Sequence, residues 1–580
     1  MSTQRPGADG SQSPKADSWA AAMLETGEAR AQKLAAAIED LRQEMEELSA
    51  RVKDLILACP TADLLGHLWG QLLMCSHPAG EEADGPNKDV LNQFQFALEY
   101  VHAVWACHPT PEQQVAFEQK IVQELVEALD KLQTATMNYR MASSAASEND
   151  EFGDSSSDVE FHAKCSWVML REHRYQVLEE EFLRFALAPH DDELRTVYGA
   201  GANETAKGIQ DIADSMRGGF AKAAGALMDL KAQAAKLASE KGLELGAAIE
   251  AIQAEDENYA PAVSEAMQGV FHGGFCNVTQ HTQLPALLQR DLAFERGENT
   301  EFYASGAFVG TPLRTLPARV RPLVRLGEDY YATDPSFVRD VAYRALQRGL
   351  CGRNPAYRET WNAKQKVLTE TALPTILVRQ LAGATVWRDV YYRDPATGEW
   401  TETDLVLTLD DVLVVAEAKA GVTAMHSPAT NFERHARTIK NLVLAAYNQT
   451  RRFLAYCDSK PEVALHRLEA GAYVEVGKIR LKDFRVVLPI GLTMESFSPF
   501  STFCKELPEV EPILGRHPFV SLSVDDLFVL NRFLPTAGEL LHYFEVRQQV
   551  AGIRKAMLFD EFDHLGAYVA KNRFDLILKD

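Results

Sequence analysis

The sequence predicts an α+β chain, with a largely helical N-terminal region, a segment of helix, strands and helix, and C-terminal helices. Three observations carry this. Leucines at seven-residue spacing and long alanine-rich runs occupy the first 350 positions. From about Tyr357 the pattern changes to helix, strands and helix. Within that part, "TETDLVLTLDDVLVVAEAKAG" (401–421) alternates apolar and polar residues on either side of an Asp-Asp pair, as two strands joined by a turn would.

A chain of 580 residues is too long for one compact core, so two to four domains are expected. Residues 1–17 read as a disordered lead-in and carry no secretory signal. No run of 18 or more apolar residues occurs, so no membrane contact is expected, and the cytoplasm is the expected location. The eight cysteines are isolated and form no CxxC, which argues against a disulfide scaffold and a cysteine zinc knuckle. Neither HExxH nor GxxxxGK[ST] is present, so a zincin peptidase and a P-loop ATPase lack their usual chemistry. The net charge of −23 lowers the odds of nucleic-acid contact, yet residues 361–460 hold 12 Lys/Arg against 11 Asp/Glu, a local balance of +1.

A helical region is expected over 18–140. Its first helix (20–59) repeats Leu34, Leu41, Leu48 and Leu55 every seven residues, with Ile38, Met45 and Val52 between them. That pattern suits a parallel two-stranded coiled coil and hence a homodimer, or alternatively an amphipathic helix folded onto its own chain. Residues 141–160, small, polar and acidic, read as a linker. Residues 161–355 read as a helical Ala/Gly-rich domain whose partner would be an unidentified protein. His272, Cys276 and His281 there suggest a metal site less readily than satisfied structural side chains.

The segment 356–495 carries the chemistry. On the helix from "KVLTETALPTILVRQLAG", Glu370 shares a stripe with Val367, Pro374, Leu377 and Leu381, so it is either an accessory ligand or a surface acid. If Asp410 and Asp411 form a two-residue turn, paired strand positions sum to 821, and Asp404 lies opposite Glu417 (404 + 417 = 821). Lys419 projects from the same face as Glu417. Two carboxylates at the end of a buried strand pair repel unless a positive charge joins them. A divalent cation and an ion triad closed by Lys419 both satisfy that need. Downstream, Ser427 is a plausible N-cap and Pro428 a first helical residue. Arg434, Arg437 and Lys440 follow at three-residue steps, with Gln449 and Arg451 further on, and are candidates for backbone phosphates or for a solvated face. "FRVVLPIGLT" (484–493) reads as another strand, and 496–580 as helices packed on this domain.

The Asp on one core strand, the apolar hairpin and E-x-K on the next resemble the PD-(D/E)XK nuclease superfamily, over roughly residues 358–495. The resemblance implies a restriction-endonuclease-like fold of order αβββαβ and Mg²⁺-dependent hydrolysis of phosphodiester bonds, with Mn²⁺ as a substitute. Such chemistry acts on DNA and sometimes RNA, in restriction, repair or anti-phage defence. Asp404, Glu417 and Lys419 then stand at the motif positions, and Glu370 and Gln449 at its looser acid and glutamine. Two other classes compete: an inactive nucleic-acid-binding or scaffold protein on the same fold, and a coiled-coil interaction protein whose Asp/Glu/Lys triad is structural.

Overall fold

The computed structural model describes residues 16–76, 88–147, 155–169, 175, 178–271, 276–421, 426–496, 504–553, 556 and 558–578. A largely helical N-terminal region precedes a mixed α/β region and C-terminal helices, an α+β architecture. In chain order the first part comprises α1 (Ala16–Ala22), α2 (Gly27–Ala58), α3 (Thr61–Ser76), α4 (Lys88–Cys107), α5 (Gln119–Ser147) and α6 (Ser155–Met169). It continues through α7 (Glu179–Leu187), α8 (Asp191–Tyr198), α9 (Ala202–Lys241), α10 (Leu245–Glu255), α11 (Tyr259–Phe271) and α12 (Ala286–Asp291). A small sheet follows: β1 (Ala293–Glu295) runs parallel to β2 (Leu323–Leu326), which pairs antiparallel with β3 (Asp329–Ala332). The all-helical reading of 161–355 missed these strands of three and four residues, which are too short to show a period.

Helix α2 settles how its leucines are used. Its buried residues are Leu34, Ala37, Leu41, Met45, Ser49, Val52 and Ile56, so Leu34, Met45 and Ile56 recur every eleven residues. An eleven-residue repeat follows one side of an almost straight helix, whereas a seven-residue line drifts around it. Leu48 and Leu55 therefore fall at the margin of the stripe, half-buried. The covering surface is α5, which runs antiparallel to α2: Arg51 pairs with Glu124 at 3.1 Å, and Arg30 donates to the carbonyl of Ala145 at 3.4 Å. The stripe is covered within the chain, as the alternative of an amphipathic helix folded onto its own chain requires. Residues 141–147 and 155–160 are helical parts of α5 and α6, not linker; small alanines such as the buried Ala142 pack where no large apolar face was visible.

The second part opens with α13 (Pro335–Arg353), whose N-cap Asp334 accepts from the Ser336 N–H at 2.6 Å with Pro335 at the first helical position. Then come α14 (Tyr357–Ile376), β4 (Thr385–Arg393), β5 (Trp400–Leu409) and β6 (Val412–Lys419). Next are α15 (Phe432–Ile439), a π-helical turn over Lys440–Leu444, and α16 (Ala445–Asp458). A hairpin, β7 (Val463–Glu469) and β8 (Ala472–Ile479), precedes β9 (Val486–Thr493) and β10 (Val520–Ser523). The chain closes with α17 (Val524–Phe533), α18 (Ala537–Ala551), α19 (Glu561–Lys571) and α20 (Phe574–Ile577). The seven strands form one sheet in the order β10-β9-β6-β5-β4-β7-β8. Val520–Ser523, read from sequence as helical, is an edge strand parallel to β9. The Ser523–Asp526 capping box starts α17 directly after it.

Strand β6 lies between antiparallel β5 and parallel β9, and every residue but Lys419 is buried. Val412, Val414 and Ala416 join Leu405 and Leu407 in a core shared with α14, α17 and the N-terminal helices. Leu413 and Val415 join Val406 in a second core under α16. The first core runs without a break from Met45 on α2 to Leu565 on α19, so the domains expected at 18–140, 161–355 and 356–495 share one apolar interior.

Because the α2 stripe is an internal core, Leu41→Ala should destabilise the full chain by about 2–5 kcal/mol, with a denaturation midpoint that does not change with protein concentration. A midpoint that rises with concentration would reinstate a dimer seam.

Candidate functional site

The turn at Asp410–Asp411 sets the register. Leu405 pairs with Ala416, Val406 with Val415 and Leu409 with Val412, each pair summing to 821. Asp410 adopts φ 51°, a left-handed conformation that aspartate tolerates better than most residues. The ladder stops one position short of Asp404 and Glu417. There the Asp404 carboxylate replaces a backbone acceptor, taking the N–H of Ala418 at 2.7 Å.

The same point marks a change of face along β5. Leu405 and Leu407 belong to the α14 core, whereas Val390 and Tyr392, which pair with Thr403 and Thr401, belong to the α16 core. Strict alternation would have kept Thr403 with Leu405. The ladder between β4 and β5 skips the position of Asp389 and Asp404, and Asp389 has φ 50°. This irregularity is the kind of local kink that re-aims side chains beside functional sites. Thr403 and Asp404, though adjacent, consequently both reach the end of β6.

Four side chains meet there. Thr403 donates its hydroxyl to Glu417 Oε1 at 2.5 Å. Lys419 Nζ lies 3.5 Å from Glu417 Oε2 and 3.9 Å from Asp404 Oδ2. Glu417 is fully buried, whereas the side chains of Asp404 and Lys419 remain 13% and 20% exposed. Burial, then the neighbouring Asp404 charge, push the Glu417 carboxyl up to about 8 against the pull of Lys419 and the threonine hydroxyl. Lys419 thus bridges the two acids, with a long hydrogen bond to Glu417, and only the Asp404 and Lys419 ends of the cluster reach solvent. On the adjacent strand Glu417 pairs with Gly491. A Cβ there would meet Phe519 at 2.5 Å and Ala446 of α16 at 3.2 Å, so glycine lets the helix close over the strands.

The other expected residues are placed less closely. Glu370 is half-buried on α14 and pairs with Lys366 at 3.4 Å; burial first, and Asp404 second, raise its carboxyl. Of the stripe expected to carry it, Leu377 and Leu381 are buried and Pro374 half-buried, whereas Val367 is 59% exposed, and the buried line of α14 itself runs through Trp361, Gln365, Thr369, Ala372 and Ile376. Pro374 does not divide the helix but lies inside it. Among the described residues no group of three His, Cys, Asp or Glu side chains is close enough to hold an ion. Arg434, Arg437, Lys440 and Arg451 are exposed on α15, the π-turn and α16, and none forms an ion pair with a described residue; Arg451 lies over the ring of Tyr447. Gln449 is half-buried on α16. The helix begins at Phe432 with Asn431 as its cap, because Ser427 and Pro428 are spent in a preceding turn where Ser427 Oγ accepts from the Ala429 N–H. Of the alternative metal cluster, Cys276 is fully buried with its thiol pushed up by burial, while His272 lies outside the described residues.

Thr403, Asp389 and Tyr392 escaped the sequence reading. The first two act through the strand irregularity, which leaves no compositional trace. The Tyr392 hydroxyl is buried without a hydrogen-bond partner; burial raises it, and the charges of Arg452 and Glu417 reach it. A tyrosine ending an apolar strand run reads as packing, and the ring does pack on Phe453 and Tyr456.

No family model, curated protein or solved structure matches the chain.

Since the folded protein holds the Glu417 proton more tightly than the unfolded chain, whose carboxyl lies near 4.5, its contribution to stability is full below that pH and is lost as the pH rises through about 8. In chelator, the melting temperature should fall between pH 5 and 8, and Glu417→Gln, a neutral isostere, should flatten that slope. A slope unchanged in the variant would place the proton elsewhere.

Proposed function

We propose that the chain is a Mg²⁺-dependent nuclease of the PD-(D/E)XK type, acting on DNA in the first instance. The observation that carries the reading is the 821 register, which sets the Asp404 and Glu417 carboxylates beside Lys419 at the solvent-facing end of a buried strand pair. The element order supports it: α14, β4-β5-β6, α15 with α16, and β9 parallel to β6 give αβββαβ, with the β7–β8 hairpin inserted before the last strand. The unpaired cations of α15 and α16 supply a surface for backbone phosphates.

The donor set fits a hard cation. Two carboxylates, one of them held protonated toward neutral pH by burial and by the charge of the other, match the one or two that Mg²⁺ takes from a protein while keeping waters and phosphate oxygens. Asp404 and Glu417 would hold the ion; bound there, it would supply Lewis-acid polarisation of the scissile phosphate. The remaining work falls to the chain. Thr403 fixes one oxygen of Glu417 and so orients the other toward Lys419. The Ala418 N–H holds Asp404 in place. The Lys419 ammonium can orient the attacking water and offset charge developing on the phosphorane. Gln449 is a candidate to position that water, and Arg434, Arg437, Lys440 and Arg451 to grip the flanking backbone.

A second reading has its own support. Lys419 already bridges the two acids, and no third ligand joins them among the described residues, as in an inactive nucleic-acid-binding or scaffold protein on this fold. The coiled-coil interaction protein lacks comparable support, since the α2 stripe is covered internally.

Purified protein should cleave plasmid or linear DNA with Mg²⁺ and not with EDTA. Asp404→Asn and Lys419→Ala should each lower the rate by about 10²-fold or more while leaving the melting temperature near that of the wild type. Cleavage by Asp404→Ala equal to the wild type would refute the assignment, and Mg²⁺-dependent DNA binding without cleavage would establish the second reading. Arg437→Ala combined with Lys440→Ala should weaken DNA binding and reduce the dependence of log affinity on log salt by about 1–2.

A further inference from the structure

A cavity of about 520 Å³ lies between α12, β1 and the C-terminal half of α13, away from the carboxylate pair. Charged side chains dominate its wall: Arg290, Arg321, Arg348 and Arg353 against Asp291, Glu295 and Glu298.

The acids are already engaged. Asp291 takes two hydrogen bonds from Arg353, at 2.5 and 2.6 Å, and a third from the Tyr198 hydroxyl at 2.8 Å. Glu298 pairs with Arg321 at 2.8 Å, and Glu295 pairs at 3.1 Å with Arg325, which lies outside the cavity wall. Two guanidiniums are left over. Arg348 makes one hydrogen bond, to the carbonyl of Val320 at 2.5 Å, which leaves most of its donors free. The Arg290 side chain has no hydrogen bond or ion pair among the described residues.

This surplus is unfavourable as it stands. Surrounding protein removes part of the hydration of Arg348, and Arg321 and Arg344 add like charge, so its guanidinium is held below the usual range while staying cationic at neutral pH. Arg290 and Arg348 are both exposed on this concave wall, so an anion entering it meets two guanidiniums with free donors. Planar guanidinium forks match phosphate oxygens two at a time. Gly349 contributes to the shape: a Cβ there would meet the Tyr198 hydroxyl at 2.8 Å and Asp291 at 3.1 Å, so glycine lets α13 approach the opposite wall. The volume falls in the range that encloses a small organic ligand.

We propose that this cavity binds a small phosphorylated molecule, between pyrophosphate and a nucleotide in size, with Arg348 and Arg290 as its principal anion contacts. The assignment does not depend on the nuclease reading.

Isothermal titration of the full chain, in chelator, with pyrophosphate, with ATP and with a single-stranded oligonucleotide tests it. Saturable binding of pyrophosphate or ATP is expected, about tenfold or more weaker in Arg290→Ala and in Arg348→Ala, and unchanged in Asp404→Asn. The Arg290 side chain is exposed and makes no hydrogen bond or ion pair among the described residues, so an unchanged melting temperature is expected in that variant and separates weaker binding from misfolding. The assignment is overturned if neither small probe binds at millimolar concentration, if binding survives both arginine substitutions, or if only the oligonucleotide binds.

Discussion

The burial of one carboxyl group, Glu417, organises the second half of the molecule. Taking a carboxylate from water into an apolar sheet is costly unless it is neutralised or hydrogen-bonded, and beside a second carboxylate it is costlier still. The chain meets that cost locally. Thr403 donates to one oxygen, Lys419 approaches the other, and the proton is retained toward neutral pH. Each compensation requires a particular strand geometry. Thr403 reaches Glu417 only because β5 changes face at Asp404, and Asp404 is fixed by a backbone N–H that the regular ladder would have used elsewhere.

Such a site holds its charge imbalance in reserve. Lys419 closes the triad with a long hydrogen bond to Glu417, at 3.5 Å, and an ion pair with Asp404 at 3.9 Å. The arginine cavity shows the complementary imbalance, with cations in excess. Helix α13 connects the two regions physically. Arg348 lines the cavity, while Arg344, about one turn earlier, pairs with Glu495, two residues beyond the Thr493 that lies opposite Lys419.

The N-terminal helices are not an appendage to this arrangement. Their apolar interior is continuous with the α14 face of the sheet, so helices and strands bear on one another through close packing. Buried charge pairs tie further segments together, including Arg319 with Glu99 at 2.9 Å and Arg547 with Glu561 at 3.0 Å. Buried pairs of this kind add little net stability while strongly penalising any arrangement that separates them.

The strand pair was legible from sequence because period-two alternation and a two-residue turn leave one register that keeps both cores dry; Asp404, Glu417 and Lys419 follow from it by counting. The helical character of the first region and the strand at 486–493 were legible for the same reason, since periodicity records which side of an element is buried. Tertiary structure decided the rest. Whether α2 met a second copy or its own α5 depended on small differences between an eleven- and a seven-residue line, and on a partner 73 to 115 residues away in the chain. Whether Glu370 faced the core depended on the rotation of α14, which the packing of Trp361 and Gln365 set. The face change at Thr403 and the arginine excess around Arg348 arise from residues distant in the chain. Local pattern encodes burial, but convergence of charge is a property of the assembled fold.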